Sequence, residues 1–115
     1  MKISIIIPSY NEERDISECL NSLLSQSFQN FEIIIVDDGS KDNTLKIIKN
    51  FQKKDKRVKL IKGKHKGPGF SRNLGAKQAK GSILVFVDAD MTFDINYLKN
   101  LISPLTKNKT LIGTT

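Results

Sequence analysis

The sequence predicts an α/β fold in which helices cover both faces of a mainly parallel sheet. Two observations indicate this class. Short apolar runs along the 115 residues are rich in isoleucine and valine, and these runs alternate with longer amphipathic segments. Such runs are typical of strands buried on both faces, and strands that alternate with helices form parallel βαβ units. The predicted strands cover residues 3–7, 31–36, 58–61 and 83–87.

The predicted helices follow these strands, because apolar residues recur there at helical spacing. The first helix covers residues 13–26 and the third covers residues 71–80. Residues 111–114 are typical of the start of another strand. The positions predicted to face the sheet are Ile16, Cys19, Leu20, Leu23 and Leu24 in the first helix, Leu45, Ile48 and Phe51 in the second, and Ile95, Leu98, Leu101, Ile102 and Leu105 in the fourth.

Length and composition predict a single domain over residues 1–115, with 38% apolar and 27% charged residues as in ordinary globular proteins. Cys19 is the only cysteine, so no internal disulfide can form. No apolar run approaches the roughly 20 residues of a membrane span. The first residues are interpreted as a strand and not as a secretory signal. We expect a cytoplasmic location, with the inner face of the membrane as the alternative.

Positive charge is concentrated in the middle of the chain, whose overall net charge is +7. Residues 41–80 contain fourteen Lys or Arg but only two acids, Asp42 and Asp55. A basic segment can bind nucleic acid, anionic lipid or a phosphorylated substrate, or it can be a solvated lysine-rich surface. Sixteen Lys against three Arg, without interleaved aromatic residues, is untypical of nucleic-acid binding. We therefore expect no nucleic-acid partner.

Polar residues follow directly after all four predicted strands. These stretches are 8–12, 37–38, 62–69 and 88–90. The carboxyl ends of parallel strands meet at one edge of a sheet, and ligands of open α/β sheets bind outside that edge. Asp88 and Asp90 would place two carboxylates there, which suit Mg²⁺ or Mn²⁺. The alternative is that Asp90 or Thr92 caps the next helix.

The first two of these stretches favour a nucleotide ligand. Neither GxxxxGK[ST] nor a GxGxxG after the first strand is present, so no glycine-rich loop would hold the phosphates. Tyr10 could instead stack on a nucleobase, and Asp38 could accept a hydrogen bond from a ring N–H. A divalent cation would then neutralise the phosphates. The combination suits a nucleoside diphosphate whose phosphates are held by a metal ion.

Taken together, four motifs resemble those of a family 2 glycosyltransferase with the GT-A fold. They are PSYNEE (8–13), VDDGSKDNT (36–44), GPGFSRNLG (67–75) and VDAD (87–90). The resemblance covers roughly residues 3 to 105. It implies a Rossmann-like nucleotide-binding part with central strand order 3-2-1-4, joined to an acceptor-binding half. It also implies transfer of a sugar from a nucleotide-diphosphate sugar to a hydroxyl, with inversion and with Mg²⁺ or Mn²⁺.

The same resemblance assigns roles to individual residues. UDP-sugar is the favoured donor, with dTDP and GDP donors left open, and the acceptor would be polysaccharide or lipid-linked. The implied roles are base packing for Pro8 and Tyr10, proximity to the ribose for Glu12, support of the turn for Asp37, base binding for Asp38, proximity to the diphosphate and the base of the site for Arg72 and Asn73, proximity to the ribose or sugar for Asp88, and metal binding for Asp90.

Purely structural roles are the alternative for many of these residues. Tyr10 could be a half-buried aromatic at a strand end, Asp37 and Asp38 could form the turn before Gly39, and Arg72 could extend from its helix along the surface. The other structural interpretations are core positions for Cys19, Met91 and Phe93, a solvated His65, and a loop for Gly67, Pro68 and Gly69.

No residue after Asp94 is acidic, over the last 21 residues. An inverting transfer needs a general base. We therefore expect the base and the acceptor half beyond residue 115, and a chain that is a donor-binding fragment, inactive by itself. The strand at 83–87 would then be an exposed apolar edge and predicts a homodimer. The alternative functions are a non-catalytic module whose basic middle docks anionic lipid or nucleic acid, and a metal-dependent nucleotidyltransferase, whose glycine- and arginine-rich first loop is absent.

Overall fold

The computed structural model describes residues 1–103, which form a four-stranded, entirely parallel sheet. Its strand order is β3-β2-β1-β4, so the predicted fold class and the order 3-2-1-4 are confirmed. The elements in chain order are β1 (Ile3–Ser9), α1 (Ile16–Leu24), β2 (Phe31–Asp37), α2 (Thr44–Lys54), β3 (Val58–Lys62), α3 (Pro68–Gln78), β4 (Ile83–Phe86) and α4 (Tyr97–Ile102).

Helices cover both faces of the sheet, as predicted. Alternate residues of a strand point to opposite faces, so successive isoleucines of β1 enter two different cores. Ile5 packs in the larger core with α1, α2 and α4, whereas Ile6 packs in the smaller core against α3. Cys19 is fully buried in the larger core, and Phe93 packs against this core. The predicted core positions of these two residues are therefore confirmed. No helix in the described part of the chain combines the length and apolarity needed to cross a bilayer.

Strand β1 is longer than the predicted range 3–7 and continues through Pro8 to Ser9. The Ile6 carbonyl accepts a hydrogen bond from Val87 N at 3.1 Å, so the backbone polar groups of Ile6 point toward β4. The backbone of Pro8, two residues further along β1, points to the same side. Strand β4 has already ended there, at Phe86. The missing proline N–H therefore costs no hydrogen bond within the sheet.

The helices differ from their predicted bounds at several ends. Helix α1 is shorter than residues 13–26, because residues 13–15 form a turn before it. Helix α3 begins earlier, since Pro68 fits the first helical position, where no backbone N–H is needed. Ile95 is 57% exposed and precedes α4, so its predicted place on the apolar helix face is wrong. Leu105 and residues 111–114 lie outside the described residues.

Strand β4 is an edge strand of the sheet formed by residues 1–103, and it pairs there only with β1. Its residues alternate between buried and half-buried side chains. An edge of this kind can accept another strand. The homodimer through residues 83–87 stays a prediction.

Candidate functional site

A cavity of about 320 Å³ lies at the carboxyl ends of β1, β2 and β4, beside the start of α3. Seven of the eight predicted site residues line it. The lining residues are Pro8, Ser9, Tyr10, Glu12, Asp38, Pro68, Ser71, Arg72, Asp88, Ala89 and Asp90. Asn73 is the exception, because it is exposed and lines a separate depression on α3 with Phe70, Leu74, Ala76 and Lys77. The structure thus brings together residues from four distant segments, but not Asn73.

The loops that follow β1 and β2 are held together by hydrogen bonds. Asn11 N donates to Ser40 Oγ and Lys41 N donates to Asn11 Oδ1, both at 2.8 Å. Glu12 N donates to Thr44 Oγ1 at 2.8 Å. Asn11 adopts a positive φ of 52°, which asparagine tolerates better than most residues. These bonds fix the backbone next to Tyr10 and Glu12 before any ligand arrives.

Asp37 organises the turn after β2, as predicted. Its Oδ2 accepts hydrogen bonds from Gly39 N at 3.2 Å and Ser40 N at 2.8 Å, and its Oδ1 accepts one from Ser40 Oγ at 2.6 Å. Gly39 has a φ of 95°, a conformation that favours glycine. The Asp37 side chain is therefore committed to the turn, which leaves its neighbour to face the cavity.

Asp38 joins the second strand to the start of α3. Its Oδ1 accepts a hydrogen bond from Lys66 N at 3.0 Å, and its Oδ2 accepts one from Gly67 N at 2.9 Å. Gly67 has a φ of 94° and directly precedes Pro68, the first residue of α3. Pro68 and Gly69 therefore belong to the helix, and the prediction of a loop at these two positions is wrong. Each carboxylate oxygen of Asp38 has a further lone pair for a ligand N–H.

Tyr10 projects at the mouth of the cavity and is 41% exposed. Its ring lies 5.4 Å from the His65 ring, centroid to centroid, at an angle of 51°. His65 is exposed, as predicted, but its Nδ1 lies 2.9 Å from the Asp38 backbone oxygen. Sequence reasoning missed both contacts, because a lone histidine in a loop carries no signal of neighbours 27 and 55 residues earlier. Tyr10 thus presents an aromatic face beside the Asp38 carboxylate.

Three acids that line the cavity lie close to one another: Glu12, Asp88 and Asp90. Partial burial, followed by the negative charges of Asp90, Asp15, Asp88 and Asp42, raises the pKa of Glu12 above its ordinary value. Burial, followed by the same negative charges, raises the pKa of Cys19 to about 12. Among residues 1–103, only one of these three acids forms an ion pair. Arg72 Nη2 lies 3.3 Å from Asp88 Oδ1, whereas Asp90 has no cationic partner among residues 1–103.

The arrangement of the acids fits one of the ways in which proteins bind a divalent cation. Within residues 1–103 no group of three or more His, Cys, Asp or Glu is arranged to hold a metal by itself. Mg²⁺ typically takes one or two carboxylates and completes its shell with waters and substrate phosphates. The unpaired, exposed Asp90 near Asp88 fits that mode and does not fit a closed protein cage. Neither Asp90 nor Thr92 caps the next helix, because the residue at the N-cap of α4 is Asn96.

Residues 4–115 match the protein family described as Glycosyl transferase family 2. The chain belongs to this family. The resemblance noted from the four motifs is therefore confirmed, and curated relatives are named as glycosyltransferases. The chain spans 36%, 14% and 18% of the lengths of the first three such relatives, so it corresponds to a minor part of each.

Two curated relatives have named activities. The Staphylococcus aureus poly(ribitol-phosphate) beta-N-acetylglucosaminyltransferase TarS is 42% identical over 103 residues, which cover 87% of this chain and 18% of the relative. The poly(ribitol-phosphate) beta-glucosyltransferase of Bacillus spizizenii is 48% identical over 94 residues, which cover 78% of this chain and 15% of the relative. The two names differ in the transferred sugar and agree in the polymer.

Solved structures show the same fold. The structure of S. aureus TarS in complex with UDP-GlcNAc matches with a TM-score of 0.87 and 38% identity, covering 95% of this chain and 32% of that chain. A mannosyltransferase from Pyrobaculum calidifontis in complex with GDP-Man and Mn²⁺ matches with a TM-score of 0.84 and 26% identity, covering 90% of this chain and 32% of that chain.

Proposed function

We propose that this chain is the donor-binding part of an inverting glycosyltransferase that uses a nucleotide-diphosphate sugar, with a UDP-sugar favoured. The observation that carries the proposal is that one cavity is lined both by an aromatic ring with a buried carboxylate, Tyr10 and Asp38, and by a cluster of acids. In the arrangement that we propose, Tyr10 and Asp38 form one end of the cavity, and Glu12, Asp88 and Asp90 form the other. The complexes of related proteins with UDP-GlcNAc and with GDP-Man and Mn²⁺ support the ligand class.

The end formed by Tyr10 and Asp38 suits a nucleobase. An exposed aromatic ring offers a stacking face to a flat heterocycle. Asp38 is 7% exposed and held in place by two backbone N–H groups, so its free lone pairs are already oriented. A ring N–H of uracil, thymine or guanine can donate to this carboxylate. Pro8 adds a rigid apolar surface to the same end.

The acidic end suits the diphosphate together with a divalent cation. We assign Asp90, with Asp88 beside it, as the protein oxygens that would hold Mg²⁺ or Mn²⁺. When bound, the cation would neutralise negative charge that collects on the diphosphate as it leaves. Glu12 lies near this end and would face the ribose. Arg72 holds Asp88 through its Nη2 contact and adds positive charge beside the phosphates.

The proposed reaction joins the oxygen of an acceptor hydroxyl to the anomeric carbon of the donor sugar. The bond between that carbon and the phosphate oxygen breaks, and the nucleoside diphosphate leaves with the electron pair. A general base takes the hydroxyl proton, and we expect this base beyond residue 115. The names of these relatives favour a polymer of phosphate-linked polyols as the acceptor class. A cytoplasmic location, or one at the inner face of the membrane, stays part of the proposal.

Calorimetric titration of the chain with UDP, GDP and dTDP, with and without Mn²⁺, tests this assignment. We expect UDP binding that depends on Mn²⁺ and weakens at least about tenfold in Asp90→Asn, because one of the few metal ligands loses its charge. Glu18→Gln is the matched control, since Glu18 is an exposed acid on α1 that does not line the cavity. Undiminished UDP binding in Asp90→Asn would refute the metal assignment, and a folded chain that binds no nucleotide would refute the function.

A further inference from the structure

Ser71 has the only buried side-chain oxygen without a hydrogen-bond partner in the described part of the chain. Its exposure is 0% and it lines the cavity. The neighbouring Arg72 Nε is the other unpartnered buried polar atom within residues 1–103. Other buried serines bond inside the protein, Ser4 Oγ to Glu32 and Ser9 Oγ to Asp37. Buried hydroxyls without a partner are rare and call for an explanation.

The packing of α3 places Ser71 over the ends of β1 and β2. Gly75 lies one helical turn further and touches the sheet so closely that a Cβ there would lie 2.7 Å from Ile6 Cγ2 and 3.2 Å from Val36 Cγ2. Helix α3 begins at the carboxyl edge of the sheet. Ser71 is therefore nearer that edge than Gly75, just as Pro8 and Asp38 lie two residues beyond Ile6 and Val36.

A nucleobase fits this position better than a phosphate does. Ser71 lies over the end of β2, which Asp38 directly follows, and the Asp38 carboxylate accepts a ring N–H but would repel a phosphate that no cation bridges. The rings of Pro8 and Pro68 line the same cavity and provide flat apolar surfaces. A serine O–H and an arginine Nε–H both donate to carbonyl oxygens. The Ser71 donor and the Asp38 acceptor match the adjacent carbonyl and ring N–H that uracil and thymine present.

We propose that Ser71 is a specificity-determining residue whose hydroxyl donates to a carbonyl of the donor's nucleobase, beside the ring N–H bound by Asp38. This inference rests on the proposed function and names the residue that selects the base. Cytosine has an acceptor lone pair in place of the ring N–H, so the Asp38 carboxylate repels it. Cytosine therefore cannot take the position that brings a carbonyl to Ser71, and the hydrogen bond from Ser71 forms with uracil and not with cytosine.

The test compares UDP and CDP binding by calorimetry, with Mn²⁺, in the wild type and in Ser71→Ala. We expect UDP affinity to fall about tenfold and CDP affinity to change little, because only the uracil complex loses a hydrogen bond. The unliganded variant should melt at the same or a higher temperature, since a buried hydroxyl without a partner has been removed. A purely structural serine would give the opposite result for stability.

Ser9→Ala is the matched control, because Ser9 lines the same cavity but donates to Asp37. It should leave the UDP to CDP affinity ratio unchanged. An unchanged ratio in Ser71→Ala overturns the inference while leaving the proposed function intact. A folded wild type that binds no nucleoside diphosphate overturns both.

A measurement on the wild type alone covers the case in which Ser71→Ala fails to fold. Sulfur accepts hydrogen bonds only weakly, so 2-thio-UDP and 4-thio-UDP each remove one carbonyl acceptor. We expect one of these analogues to bind about tenfold more weakly than UDP. Equal binding of all three ligands contradicts a hydrogen bond to either carbonyl.

Discussion

Acidic side chains are used in opposite ways at the two ends of the sheet. At the amino ends, the Glu32 carboxylate is 1% exposed and accepts hydrogen bonds from Ser4 Oγ at 2.5 Å, Lys59 Nζ at 2.6 Å and Lys80 N at 2.7 Å. At the carboxyl ends, the Glu12 side chain has no hydrogen-bond donor among residues 1–103 and faces other acids.

The pKa values of these two glutamates move in opposite directions from the same ordinary value of 4.5. Burial by itself would raise the pKa of Glu32, but the hydrogen bonds from Lys59, Ser4 and Lys80 outweigh it and lower the pKa to about 2. Burial and neighbouring carboxylates raise the pKa of Glu12. Acid with internal partners stabilises the chain, whereas acid without them stays available to a ligand.

The largest expected effect comes from removing the acid at the amino ends. Glu32→Ala leaves the Ser4 hydroxyl and the Lys80 N–H without their acceptor, and we expect it to lower the free energy of unfolding by about 2–4 kcal/mol. Urea denaturation measures this loss. Glu18→Ala, at an exposed position on α1, is the control and should stay within about 0.5 kcal/mol of the wild type. A loss in Glu32→Ala no larger than that of the control would contradict a structural role for Glu32.

Two glycines sharpen the comparison between the ends. A Cβ at Gly81 would lie 2.7 Å from Ser4 N and 2.8 Å from the Lys2 carbonyl oxygen, so Gly81→Ala must displace backbone and should cost about 1–3 kcal/mol. At the site end, a Cβ at Gly69 meets nothing within 4 Å. Gly69→Ala should be neutral or stabilise α3 by up to about 1 kcal/mol. Similar melting temperatures for the two variants would show that the amino ends are not tightly packed.

Acid pH should separate the two glutamates. Because the folded-state pKa of Glu32 lies below its unfolded value, its stabilisation is complete above about pH 4.5 and is lost as the pH falls toward about 2. Urea midpoints measured between neutral pH and pH 2 should therefore fall more steeply in the wild type than in Glu32→Gln. Parallel curves for the two proteins would exclude Glu32 as a source of acid lability.

The smallest expected effect concerns Glu12 and has the opposite sign. Its raised folded-state pKa means that ionisation destabilises the folded chain at neutral pH. Glu12→Gln should therefore stabilise the free chain, by up to about 1 kcal/mol, as for other charge interactions near the surface. UDP with Mn²⁺ should reduce this gain, because the cation relieves the repulsion. A destabilised Glu12→Gln would mean that the carboxylate has a structural partner.

Much of the site could be predicted because its residues directly follow strands. Parallel strands end at a common edge, so Pro8, Tyr10, Asp38 and Asp88 meet wherever the loops are short. Helix α3 was harder to predict. Asn73 was expected with Arg72 at the site, but successive helical residues point in different directions. The register that turns Ser71 into the cavity depends on Gly75 fitting against Ile6 and Val36.

The sequence by itself determined the sheet, its order through the family motifs, and the placement of acids at the strand ends, because these follow from periodicity and chain connectivity. Only the tertiary structure decided which acids are neutralised. Glu32 obtains its donors from Ser4, Lys59 and Lys80, which lie 27 to 48 residues away along the chain. Glu12 obtains no donor within residues 1–103, although both residues are glutamates close to a strand of the same sheet. Hydrogen bonds to distant residues are fixed by packing and not by local pattern, so the folded chain alone shows which of these acids are left without a donor.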